Sequence, residues 1–366
     1  MIKYLGSKRL LAGRIVEIAR ALPGVRTVLD PFSGSARIGH ALKRAGFRVV
    51  ASDHNAYAAT LARCYVQADR EEVARDAERL LRELGGLRGS PGYFTETYCI
   101  QSRFFHPKNG ERIDAIREAI AKKGLPPELE AVVLTSLMEA ADRVDSTVGL
   151  QMAYLKQWAP RALGDLELRM PDVLPRARYG KGEAHRADVL EMAACVEADL
   201  AYLDPPYNQH SYLSNYHVWE TLVLWDKPDV YGRARKRIDC KTRKSPFNAR
   251  ATIHQALHAL VSTVRARFLL VSFSDEGFVS RAELESLLQS RGHVYVFAHP
   301  WKRYVGAQIG IYNPRGEKVG RVGRRYNTEY LFLVSPIRLD AALASFGPSR
   351  DAAPSAPRRG VDRVTV

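Results

Sequence analysis

Four consecutive residues, Asp204-Pro205-Pro206-Tyr207, follow the apolar run 198–203 and bring together a carboxylate, a stiffened backbone and an aromatic ring. A strand ending in so rigid a turn fixes these groups in one small pocket, because each proline ring holds φ near about −65°. That set suits chemistry on an aromatic amine. The amine lone pair is delocalised into its ring, and two acceptors aimed at its hydrogens favour a tetrahedral, nucleophilic nitrogen. The Asp204 side chain supplies one acceptor and the Pro205 carbonyl the other, while Pro206 adds no N–H to compete. Tyr207 offers a ring to stack on a planar base. No covalent nucleophile is needed.

A second constellation lies at Asp30-Pro31-Phe32-Ser33-Gly34-Ser35-Ala36-Arg37. Asp30 directly follows a predicted strand, and Gly34 sits in the turn before a predicted helix. Glycine there permits a positive φ and a close backbone approach, and the following helix presents unpaired N–H groups. One glycine before the helix does not make the dinucleotide pattern Gly-x-Gly-x-x-Gly. An acid at this strand end suits a cationic or ammonium-bearing ligand and repels a diphosphate. The next strand ends at Ser52-Asp53, which places Asp53 to accept two ribose hydroxyls, the role of an acid roughly 20 residues past the first loop. Either acid alone reads equally as the cap of a turn; both in one βαβ unit favour a ligand. Asp188 follows another short polar turn and reads either as a partner for an adenine amine or as the cap of the next helix.

The elements that must hold these residues come next. Leu11, Ile15, Ile18, Ala19 and Leu22 recur at helical spacing over 9–22, and Pro23-Gly24 stops that helix. A strand at 27–29, a helix at 35–45 and a strand at 47–51 form the opening βαβ of an α/β sheet. One helix is predicted over 56–84. Alternation then lapses, with helices at 109–122 and 127–143 and an irregular, proline-bearing stretch over 160–180. It resumes at 186–204, with further strands at 266–274, 293–298 and 330–334 and helices at 253–265 and 280–290. The chain therefore divides into a first half at 1–87, an insertion at 88–184 and a second half at 185–341. Residues 342–366 predict a disordered tail.

The 366 residues carry a formal net charge of +15, which favours a polyanionic partner. Residues 227–250 hold nine Lys or Arg against two acids and read as a flexible basic loop for phosphate contact, through Arg235, Lys236, Arg237, Lys241, Arg243 and Lys244. A second basic segment spans 301–326, with Lys302 and Arg303 near its start, and its five glycines from Gly306 to Gly323 make it read as a hairpin or clamp near the sheet edge. The four cysteines show no Cys-x-x-Cys spacing, which argues against a zinc site or a disulfide framework and fits a reducing cytoplasm. No run approaches the roughly 18 apolar residues of a membrane span.

In these motifs and their order the chain resembles the Dam-like, D12 class DNA adenine-N6 methyltransferases, over 1–75 and 185–335. The resemblance implies an α/β, Rossmann-like sheet dependent on S-adenosyl-L-methionine, with a mainly helical target-recognition region inserted at 88–184. It implies that the segment 3–8, with Tyr4, Gly6 and Lys8, packs over the methionine end of the cofactor. Asp30, Phe32, Ser33 and Gly34 would hold the methionine, Asp53 the ribose and Asp188 the adenine. The implied reaction is methylation of adenine N6 in double-stranded DNA. A target inside a duplex cannot reach such a pocket, so the base must be flipped out. Asn208, Gln209, His210, Tyr212, Tyr216 and Trp219 follow the catalytic motif and offer edges and rings for that base; Tyr216 and Trp219 read equally as the core of a short helix. A monomeric cytoplasmic enzyme, bacterial or phage-encoded, paired with a restriction endonuclease or solitary, completes the expectation. Cytosine-N4, RNA-adenine and protein-glutamine methylation remain rivals, the last usually with Asn in place of Asp204. A non-enzymatic DNA-binding module would explain the charge but not acids at three strand ends.

Overall fold

The computed structural model describes residues 1–302, 311–312, 318–320 and 326–346. Seven strands form its main sheet: β1 (Thr27–Asp30), β2 (Arg48–Asp53), β3 (Glu183–Arg186), β4 (Glu197–Leu203), β5 (Arg265–Ser274), β6 (His293–Lys302) and β7 (Tyr326–Ser335). Their spatial order is β3-β2-β1-β4-β5-β7-β6. Strands β1 to β5 pair in parallel, and β7 runs antiparallel to both β5 and β6. The chain winds outward from β1 to β3 and then returns to β4 on the other side of β1. Such a reversal opens a crevice at the carboxyl ends of the two central strands. Val28 pairs with Leu200 and Leu29 with Ala201, so Asp30 and Asp204 end neighbouring strands.

Strand residues alternate between two apolar cores with period two. Val28, Val49, Leu200, Tyr202, Phe268 and Leu270 enter one cluster, whereas Leu29, Val50, Ala201, Leu203, Leu269 and Val271 enter the other. This is why the strands read as continuous apolar runs: both faces are covered. On the first face lie α1 (Ala12–Ala21), α2 (Arg37–Arg44), α3 (Ala56–Ala62), α4 (Arg70–Gly85), α5 (Pro107–Lys123), α6 (Pro127–Arg143) and α8 (His217–Leu224). On the second lie α7 (Val189–Cys195), α9 (Ile253–Thr263) and α10 (Arg281–Gln289). The helices α5 and α6, within the segment expected as an insertion, thus bury their apolar faces in the same cluster as the sheet. Arg117 of α5 donates to the carbonyls of Leu222 and Val223, closing the end of α8.

Three expectations change. The helix predicted over 56–84 breaks into α3, a wider turn at Arg63–Gln67, and α4. Asp69 sits at the break because its buried carboxylate is held by Lys43 at 2.9 Å and by Arg176 at 2.6 Å. Strand β3 begins at Glu183, at the close of the expected insertion, where Val50 pairs with it. The tail expected from 342 begins with helical turns, Asp340–Leu343 and Ala344–Phe346, and the Arg14 guanidinium lies 4.3 Å from the Phe346 ring. Residues 347–366 lie outside the described residues.

Candidate active site

Asp30 and Asp204 line one pocket of about 280 Å³ at the carboxyl ends of β1 and β4. Asp30 is 1% exposed, and its Oδ1 has no hydrogen-bond partner. Burial first, then the charges of Asp204 and Asp53, raise its pKa to about 8. Burial also raises Asp204, and Glu329 adds to it, but Lys8 opposes them and the pKa settles at about 6. The Lys8 ammonium lies 3.4 Å from Asp204 and 3.0 Å from Glu329. Burial works against its charge, yet the two acids outweigh that and hold its pKa above the ordinary lysine value. Asp204 is thus kept ionised near neutrality by a cation delivered from the N-terminal segment.

That segment is built onto the loop at 30–34 by close contacts. Tyr4 stacks with both Tyr216, at 4.8 Å and 7°, and Tyr212, at 5.3 Å and 12°, and those two rings lie 6.5 Å apart, so the three form one near-parallel cluster. Gly34 has φ +48°, and a Cβ there would meet the Tyr4 hydroxyl at 3.0 Å; glycine is needed for both reasons. Gly6, with φ +70°, has the Tyr212 hydroxyl at the same distance from its missing Cβ. Tyr4, Gly6, Lys8, Phe32, Ser33 and Gly34 all line the pocket.

Asp53 joins this loop to the next turn. One carboxylate oxygen accepts from the Gly34 N–H at 3.1 Å, and the other accepts from the Asn55 N–H at 2.9 Å. Burial, eased by His54 and by these bonds, leaves its pKa raised. It therefore caps a turn and lines the pocket at once. Asp188 does likewise: it accepts from the Leu190 N–H at 2.8 Å at the start of α7 and borders the same cavity.

The Asp204–Tyr207 motif is divided. Asp204 and Pro206 line the pocket, whereas Pro205 and Tyr207 are not among its lining residues. The Tyr207 ring lies 5.5 Å from Phe273, with the Lys8 ammonium 5.6 Å from its centroid. Tyr216 and Trp219 are core residues, 1% and 2% exposed. Asn208 and His210 offer their carbonyls to the Asn248 side chain. Sequence reasoning missed Glu329, Asn248 and Phe247, whose ring meets Phe32 edge-on at 5.3 Å. Glu329 is a lone acid one residue before the strand predicted at 330–334, inside the longer β7, so nothing local marked it.

The basic segment at 227–250 is folded, which corrects the expected flexible loop. Val230–Tyr231 pairs with Lys236–Arg237 as a small hairpin, and Arg235 takes a left-handed φ of +47° in its turn. Arg237 is no phosphate ligand. It is 3% exposed and donates from two nitrogens to Asp226 at 2.7 and 2.6 Å, with Asp239 beside it. Arg243 bonds Glu220 and Asp239 and, with Lys244, lines the pocket. Lys241 is exposed, its ammonium 4.6 Å from the Tyr231 ring, and Lys236 is half-buried. Lys302 ends β6, and Arg303 with most of the second basic segment lies outside the described residues.

Residues 4–286 match the D12 class N6 adenine-specific DNA methyltransferases, and the chain belongs to that family. It is 28% identical over 324 residues to the type II methyltransferase M.FokI of Planomicrobium okeanokoites, covering 83% of this chain and 50% of that protein. It is 25% identical over 315 residues to the type II methyltransferase M.NlaIII of Neisseria lactamica, covering 83% and 92%. The modification methylase StsI of Streptococcus sanguinis is 26% identical over 327 residues, covering 84% and 50%. The chain thus spans about half the length of M.FokI and StsI and most of M.NlaIII. The methyl donor of the family is S-adenosyl-L-methionine. The pocket fits it: Asp30 and Ser33 carry buried oxygens without partners, and two further acids, Asp53 and Asp188, border the cavity. Among the described residues no helix is long and apolar enough to cross a membrane.

Proposed function

We propose that this chain transfers a methyl group from S-adenosyl-L-methionine to the N6 amine of an adenine flipped out of duplex DNA. One observation carries the reading: Asp30 and Asp204, at the ends of adjacent strands, line a single pocket, and one Asp30 oxygen lacks any partner. Asp30 would hold the cofactor ammonium, Asp53 the ribose hydroxyls and Asp188 the adenine amine, with Tyr4, Gly6, Phe32, Ser33 and Gly34 as walls. Bound there, the cofactor supplies a methyl on a positively charged sulfur, which leaves as a neutral thioether.

The chain's own residues prepare the amine. Asp204 accepts one N6 hydrogen and the Pro205 carbonyl the other, drawing the lone pair out of the ring. Positive charge growing on nitrogen is stabilised by the carboxylate, which takes the surplus proton and passes it to solvent. Lys8 keeps Asp204 charged and oriented meanwhile. Tyr207 would stack on the extrahelical base. Holding the reactants in line provides much of the remaining advantage.

The same acceptors would serve cytosine N4; family membership favours adenine. A labelled-methyl assay on adenine-only duplex, cytosine-only duplex and RNA tests the choice, with label expected in the first alone. Asp204→Ala should lower transfer by about 10²- to 10³-fold while cofactor binding persists. Full activity in that variant would end the mechanism. Pairing with a restriction endonuclease, a monomeric state and a cytoplasmic site of action complete the proposal.

A further inference from the structure

A second cavity runs between α1 and α2, lined by Arg9, Arg20, Arg37 and Arg44 together with His40 and Asp172. Arg44 pairs with Asp172 at 2.6 Å, and the Asp172 carbonyl is bonded to His40. Among the described residues no carboxylate lies within ion-pair distance of Arg9, Arg20 or Arg37. The Arg37 Nε is buried without an acceptor. Burial, and then the neighbouring Arg9 charge, push Arg37 below its ordinary pKa. His40 is likewise lowered by burial, so it adds no lasting charge near neutrality. Unpaired guanidinium groups gathered in one groove repel each other, and an anion relieves that repulsion.

Position identifies the anion. Lys8 turns inward to Asp204, and the very next residue, Arg9, borders the groove. Consecutive Cα atoms are about 3.8 Å apart, so the groove starts one residue from the lysine whose side chain reaches the proposed catalytic carboxylate. Arg37 lines both the groove and the pocket. A duplex delivering a nucleotide to Asp204 carries roughly one phosphate charge per 1.7 Å of its axis. A backbone phosphate beside the extrahelical nucleotide is therefore the anion nearest to hand. Guanidinium forks match phosphate oxygens in bidentate geometry. We propose that the groove between α1 and α2 binds the DNA backbone beside the flipped nucleotide, through Arg9, Arg20 and Arg37. The inference rests on the proposed methylation of duplex DNA.

Gly13 allows a clean test, because it lines the groove and a Cβ added there meets no atom within 4 Å. Duplex DNA binding is measured across a salt series for the full chain, for Gly13→Glu, for Gly13→Ala and for the double variant Arg9→Gln/Arg20→Gln. Cofactor binding is recorded in parallel and should be unchanged throughout. Gly13→Ala should match the parent protein. Gly13→Glu should weaken DNA binding at least about tenfold, and the double variant should flatten the slope of log K against log salt by about two. Parent-like binding and slope in both Gly13→Glu and the Arg9→Gln/Arg20→Gln double variant would overturn the groove assignment and leave the proposed function standing. Equal losses in Gly13→Ala and Gly13→Glu would overturn it too, since a methyl carries no charge. Parent protein that fails to bind duplex DNA at all would defeat both readings.

Discussion

Asp30 and Asp204 show how residues of one type take different states from their surroundings. Asp204 has a cation 3.4 Å away and titrates at about 6, which leaves it charged near neutrality, as its proposed role as acceptor for an amine hydrogen requires. Asp30 has an unpartnered oxygen and titrates at about 8, so near pH 7 the ligand-free protein holds it mostly neutral. Its folded pKa is above the ordinary 3.8, so its contribution to stability is complete at low pH. That contribution declines as pH rises from 3.8 through about 8, where ionising the buried group becomes unfavourable. Asp30→Asn cannot ionise. Denaturant titrations of the ligand-free protein between pH 5 and 9 should therefore show the parent losing stability relative to Asp30→Asn. Parallel curves would mean that Asp30 is solvated in the native state.

At the scale of elements, the basic hairpin is held by its one buried cation. Arg237 is anchored to Asp226 and Asp239 and reaches the Thr221 hydroxyl of α8 at 3.3 Å, which ties the hairpin to the sheet's helical layer. Removing one member of a buried pair leaves the other uncompensated, which costs about 3–5 kcal/mol when both are enclosed. Asp226 is 42% exposed here, so water recovers part of that. Arg237→Ala should cost about 2 kcal/mol in a denaturation experiment. Its effect on DNA binding should trace to the displaced hairpin, and the salt slope should stay that of the parent. A lowered slope with unchanged stability would return Arg237 to the phosphate contacts.

For the molecule as a whole, the net charge is +15, and among the described residues several cations border the crevice. The hairpin arm contributes Arg243 and Lys244 to the pocket wall, and α2 contributes Arg37. The half-buried Lys236 on the hairpin and the exposed Lys241 just after it can add phosphate contacts without touching the pocket. Lys236→Gln/Lys241→Gln should therefore weaken duplex binding evenly across sequences and lower the salt slope by about two. Methyl transfer at saturating DNA should be unchanged. An altered maximal rate with an unaltered slope would place those lysines in the chemistry.

The sequence by itself determined the parts that depend on local rules. Strand periodicity, the proline-locked turn after Leu203, the glycine before α2 and acids at strand ends all follow from φ, hydrogen bonding and alternation within a few residues. The boundaries of α6 at 127 and 143 were legible for the same reason, with Pro127 at its start. Tertiary structure decided which charged groups meet. Arg237 and Lys241 look alike within a basic run, yet one is buried between carboxylates and the other is exposed. Glu329 joins Lys8 across 321 positions of chain. Charge on a side chain carries no record of its partner; the fold alone brings the opposite charge within reach and removes the water between them.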